Sequence, residues 1–133
     1  MAIEVGLKGR ADTVVTEENT AGSVGSGLVP VFATPCMIAL MEKAAAGAIQ
    51  PCLGPDEGSV GTHLDVSHDA ATPIGMKVWA EAEVTAVEGR KITFAVTAFD
   101  QSGETIGKGT HERFVIKPEK FLARVQAKLE TIK

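Results

Sequence analysis

The sequence predicts an α+β domain in which a curved antiparallel β-sheet wraps around one long central helix. Three observations carry this. Residues 34–49, TPCMIALMEKAAAGAI, repeat with helical period and are apolar on nearly every side, and such a helix needs a covered environment. Residues 58–116 divide into four strand-like segments, GSVGTHLDVSH, MKVWAEAEVTAVEG, RKITFAVTAFD and ETIGKGTHERFVI. The second and third alternate, with Val78, Ala80, Ala82 and Val84 facing one way and Ile92, Phe94, Val96 and Ala98 matching them. Tight turns at Glu88-Gly89-Arg90 and Asp100-Gln101-Ser102-Gly103 join the last three segments into a meander.

Before the helix, residues 2–8 alternate moderately and are expected to form a first strand. Residues 9–30 are rich in Gly, Thr, Ser and acidic residues. They are expected to be a loop, with Gly22–Gly27 flexible by composition; residues 20–30 serve as a lid or as a plain connector. Thr34 followed by Pro35 fits an N-cap with proline at the first helical position. Ile38, Met41, Ala45 and Ala48 form one apolar stripe, widened by Met37, Leu40 and Ala44. Pro51 and Gly54-Pro55 stop the helix. A last helix over PEKFLARVQAKLETI offers Phe121, Leu122, Val125 and Leu129 as its apolar face. One sheet edge is left open, and a second copy could extend it.

With 133 residues, the chain is expected to be a single domain over 1–133. No apolar run approaches the roughly 20 residues of a membrane span, and the first residues, MAIEVGLKGRADTV, lack a signal pattern. The expectation is a cytoplasmic protein without membrane association. A net charge of −4 with no basic cluster argues against nucleic acid. Cys36 and Cys52 are expected to be free thiols. Neither they nor His63, His68 and His111 have a metal-ligand spacing.

Chemistry concentrates in Thr34, Glu42 and His68. A hydroxyl, a carboxylate and an imidazole are the raw material of acyl transfer or hydrolysis. Thr34 stands where a helix N-terminus offers free amides and a positive dipole end, which suits a developing oxyanion. Glu42 lies two turns further on, among apparently buried neighbours, where a desolvated carboxylate is usable as a base near neutral pH. His68 ends a strand, and its parity puts it on the opposite face from His63. Gly61, Gly107 and Gly109 lie inside strands, as where something packs closely on the sheet. Arg113 is a salt-bridge partner or a clamp for a carboxylate or phosphate.

The blocks VFATPCMIALMEKAA, SVGTHLDVSHDAATPIGMKV, EVTAVEGRKITFAVTAFD and IGKGTHERFVI with EKF, in this order and spacing, resemble the hotdog-fold thioesterases related to fluoroacetyl-CoA thioesterase. The resemblance spans residues 29 to 128. It implies a hotdog fold, hydrolysis of acyl-CoA thioesters without metal or cofactor, and homodimers with joined sheets and sites at the interface; a tetramer stays open. It implies catalytic roles for Thr34, Glu42 and His68. Gly61 matches a glycine that positions the acyl group, Arg113 the arginine of the THER block, and Phe32 of the VFATP block is a substrate-binding candidate. Arg113 and Lys117 are candidates for the coenzyme A phosphates. The family's lid aromatics are not matched: Leu28 stands in the corresponding loop, so fluoroacetyl selectivity is not implied. Two other classes remain, a non-catalytic acyl-CoA-binding hotdog protein and a hotdog dehydratase, the latter needing an Asp/His pair that is not seen.

Overall fold

The computed structural model describes residues 2–133. Its strands are β1 (Lys8–Val14), β2 (Gly58–His68), β3 (Lys77–Glu88), β4 (Lys91–Asp100) and β5 (Thr105–Ile116), and its helices α1 (Ala21–Val24), α2 (Thr34–Ile49) and α3 (Pro118–Glu130). The strands form one antiparallel sheet in the order β1-β3-β4-β5-β2. β2 is thus an edge strand with one side unpaired by this chain.

Helix α2 lies in the concave face of the sheet. It buries Met37, Leu40, Met41, Ala44, Ala45, Ala48 and Ile49 against Val78, Ala80, Ala82, Val84, Ile92, Phe94, Val96 and Ala98. These are the alternating residues of β3 and β4, so period-two and period-3.6 patterns meet face to face. Alanines on both layers let them approach closely. At Gly9 the approach is closer still: a Cβ there would overlap the Ala44 carbonyl oxygen and stand 2.9 Å from Ala48 Cβ.

The helix and β2 to β5 follow the expected boundaries within a residue or so. The N-terminal part does not. The first strand is Lys8–Val14 rather than residues 2–8, because Gly6 takes a positive φ of 98° and turns the chain. Residues 9–30 are not one loop: they contain β1, a 3-10 turn over Glu17–Asn19 and α1. β1 carries Lys8, Arg10 and Asp12 on its open face, which hid its pattern. Helix α2 is not buried all round, since Pro35, Ala39, Lys43 and Gly47 form an exposed stripe with Ile38, Glu42 and Ala46 half-buried beside it. The expected apolar face of α3 is largely uncovered, with Leu122 61% exposed and only Phe121 half-buried. Cys36 and Cys52 are free and half-buried. Among the described residues, no helix is long and apolar enough to cross a membrane.

Register decides which residues of β2 face the helix. Gly61 pairs with Arg113 and His63 with Glu112, so Thr62 is an extra residue, a bulge. A bulge resets the alternation of the strand. Seven residues would otherwise put Gly61 and His68 on opposite faces; with Thr62 inserted, both face α2.

Candidate active site

At the N-terminus of α2 the N-cap is Ala33, not Thr34, and Thr34 is the first helical residue with Pro35 behind it. Its side chain is therefore free of capping work. Thr34 Oγ1 lies 2.7 Å from His68 Nδ1. With Nδ1 as acceptor the hydroxyl donates and Nε2 carries the ring proton. His68 Nε2 is shut from solvent and has no hydrogen-bond partner among the described residues. Burial pushes the His68 pKa below the ordinary imidazole range; the Ala70 backbone and the Asp69 charge act in the opposite direction. A neutral imidazole beside a hydroxyl is a general base in place.

The helix start offers fewer amides than its sequence suggests. Pro35 has none, and the amides of Cys36 and Met37 both donate to Ala33 O. The Thr34 amide is left without a partner among the described residues. The pair opens into a hollow of about 240 Å³ lined by Ala21, Ser26, Val31, Phe32, Asp69 and Ala70 among others. Phe32 is buried in its wall, between a bridge to Thr20 and a hydrogen bond that its backbone N–H donates to Thr72 O. Leu28, at the tip of the loop after α1, is 97% exposed and does not line the hollow.

Glu42 belongs to a second cluster. Its Oε2 is 3.4 Å from Arg113 Nη1. The expected burial of Glu42 is not met, for its side chain is 36% exposed, on the flank of the uncovered stripe of α2. Gly61 faces it from β2, where a Cβ would overlap Glu42 Oε2. Arg113 is only 7% exposed; its Nε donates to Ser59 Oγ at 2.9 Å and Nη2 to Ser59 O at 3.1 Å. Burial lowers its pKa while Glu42 opposes the shift, and a guanidinium stays charged under such a shift. Four of its five N–H donors are used inside the protein. Lys117 is exposed and pairs with Asp56 at 3.9 Å.

One chain thus brings Thr34 to His68 and Glu42 to Gly61 and Arg113, but does not bring the two groups together. Eight helical residues separate Thr34 from Glu42, about 12 Å of rise. Along β2, His68 and Gly61 are about 20 Å apart. Sequence reasoning passed over His111, which touches the second cluster. The available signal was its place two residues before Arg113 on β5, on the same inward face.

Comparison with known proteins identifies the family. The family model described as fluoroacetyl-CoA-specific thioesterase matches residues 15–119. A fluoroacetyl-CoA thioesterase of Streptantibioticus cattleyicolor is 52% identical over 98 residues, 74% of this chain and 70% of that protein. A solved structure of the fluoroacetyl-CoA thioesterase FlK superposes with a TM-score of 0.90 at 42% identity, covering 96% of this chain and 98% of the other. A Thermus thermophilus hypothetical protein of the thioesterase superfamily superposes at 0.88 with 31% identity, covering 98% of both chains. The family model over residues 15–119 and the 52% identical relative, together with the hotdog sheet around one helix, show the family: the chain belongs to the fluoroacetyl-CoA-specific thioesterase family.

Proposed function

We propose that the protein is a cytoplasmic acyl-CoA thioesterase, acting on small or medium acyl groups at sites built from two copies of the chain, with no metal or cofactor. The observation that carries the reading is the Thr34–His68 pair at 2.7 Å, beside a hollow at the start of the helix. A hollow of about 240 Å³ suits a short acyl group better than a long one.

The two-copy arrangement is supported by the open edge of β2. Antiparallel pairing of two β2 strands about a two-fold axis near their midpoint lays His68 of one protomer across from the Gly61–Thr62 bulge of the other. Thr34 and His68 then meet Glu42 of the partner subunit. The same pairing covers the exposed stripe of α2 and offers surroundings to the unpartnered His68 Nε2.

In this site the thioester carbonyl oxygen accepts from the Thr34 amide. His68 takes the proton of the attacking oxygen, which is Thr34 Oγ1 or a water beside it. The C–O bond forms, the C–S bond breaks, and His68 returns the proton to the departing sulfur. Where Thr34 Oγ1 attacks, a water oriented by Glu42 of the partner subunit then attacks the acyl-threonine ester, its proton passing through His68 to Thr34 Oγ1 as that C–O bond breaks; where water attacks, the same carboxylate orients it and the free acid forms directly.

The test is thiol release from a panel of acyl-CoAs, short to long and including fluoroacetyl-CoA, for wild type and Glu42→Gln. Turnover with the shorter members, reduced by about 100-fold or more in the variant, supports the reading. No turnover with any member sinks it and leaves a binding protein.

A further inference from the structure

We propose that His111 is a positioning residue for the thioesterase reaction, holding the Glu42 carboxylate in place through Arg113. This rests on the thioesterase reading above and adds a residue to it.

His111 is fully buried on the inner face of β5 and stacks on Phe94 with ring centroids 5.9 Å apart. Both ring nitrogens are used. Nδ1 donates to His63 O at 2.8 Å, and Nε2 accepts from Arg113 Nη1 at 3.2 Å. A carbonyl can only accept and a guanidinium can only donate, so these two bonds set one neutral tautomer. The same Arg113 Nη1 reaches Glu42 Oε2. Ser59 accepts from Nε and from Nη2 of the guanidinium. Arg113 is therefore pinned from the β2 side by Ser59 and from the β5 side by His111, and the remaining direction of Nη1 is toward Glu42.

Space enforces the arrangement. A Cβ on Gly61 would stand 3.1 Å from His111 Cε1 and 3.4 Å from Arg113 Nη1. Burial, then the Arg113 charge, favour the neutral ring; the His63 carbonyl, Glu42 on α2 and Glu112 on β5 oppose them. An imidazolium would set a donor against the guanidinium and release it. A histidine that merely fills space needs none of these bonds, since phenylalanine has nearly the same shape.

The experiment separates filling from positioning. His111→Phe keeps a flat ring against Phe94 and removes the acceptor for Arg113; His111→Gln returns an acceptor. kcat and KM for the best short acyl-CoA are measured for both, alone and combined with Glu42→Gln, with melting temperatures alongside. Imidazole nitrogen NMR of the wild type reads the tautomer without any turnover. The expected result is a fall in kcat of about ten- to a hundredfold for His111→Phe with KM little changed. His111→Gln recovers most of that fall, and His111→Phe costs nothing further once Glu42 is Gln. The ring is Nδ1-protonated at neutral pH. Equal losses in both backgrounds, or no loss, overturn the proposal, as does a ring protonated at Nε2. Absence of turnover in the wild type, with the tautomer in place, overturns the thioesterase reading and the role of His111 with it.

Discussion

Gly61 and His68 face the same side of β2 although seven residues separate them, because the Thr62 bulge resets the strand between them. One strand therefore lines both candidate clusters. Its N-terminal half receives Glu42 against a bare backbone, and its C-terminal half presents an imidazole to the helix start. Gly61 is tied to this by space alone, since a methyl group there would overlap Glu42 Oε2. Gly61→Ala is expected to move the carboxylate, lowering kcat by about tenfold or more, while the overpacking costs about 1–3 kcal/mol of stability. Steady-state kinetics with urea denaturation check both, and an alanine variant with wild-type kcat would show that Glu42 has another resting place.

If the catalytic groups come from two copies, defects on different protomers must complement. Thr34→Ala and Glu42→Gln are each expected to be nearly inactive alone. In a mixed dimer, one of the two sites draws intact Thr34 and His68 from the Glu42→Gln chain and an intact Glu42 from the Thr34→Ala chain. Co-refolded mixtures should regain a substantial fraction of wild-type activity, and native mass spectrometry should show the heterodimer. Mixed dimers without activity would mean that each site is built within one chain.

Much of this was legible in the sequence where side-chain pattern and backbone need coincide. The alternation of β3 and β4, the turn glycines Gly89 and Gly103, and the apolar period of α2 each point to one local structure, and each element stands as expected. β1 escaped because an edge strand with Lys8, Arg10 and Asp12 outward carries little apolar signal. Residue types singled out Thr34, Glu42 and His68 as candidates, but not their distribution. Helical spacing places Glu42 two turns from Thr34, while the Thr62 bulge, a feature of pairing rather than composition, decides which part of β2 each meets. The bonds of His111 and Ser59 to Arg113 depend on register between β2 and β5, which no local pattern encodes.

Gly9 offers a prediction about stability away from the Thr34–His68 hollow. Its missing side chain lets β1 press against the backbone of α2 at Ala44 and Ala48. Backbone cannot rotate aside as a side chain can, so Gly9→Ala is expected to push β1 off the helix at a cost of about 1–3 kcal/mol. The melting temperature should fall by several degrees. An unchanged melting temperature would mean that β1 contributes little to the cooperative fold.

Buried His111 and half-buried His68 give the protein an acid-sensitive signature whose sign is fixed. Burial is the leading cause that pushes His68 and His111 below the ordinary imidazole value. Asp69 faces His68, and Glu42, Glu112 and Arg113 face His111. Between the depressed folded values and the unfolded value of about 6.5, the unfolded chain binds more protons than the folded one, so stability rises with pH across that window. The contribution is present above pH of about 6.5 and is lost as pH falls below it. In the proposed mechanism catalysis follows the same direction, because there His68 must be neutral to accept a proton. The acid limb of kcat/KM is therefore expected below pH of about 6.5, with activity holding as pH falls through the ordinary imidazole value. Urea midpoints at pH 7.5 and 5.5 and a pH–rate profile test the pair of statements. His111→Phe removes one of the two groups and should flatten the pH dependence of stability. A midpoint that rises on acidification would show instead that the folded state takes up protons at these rings.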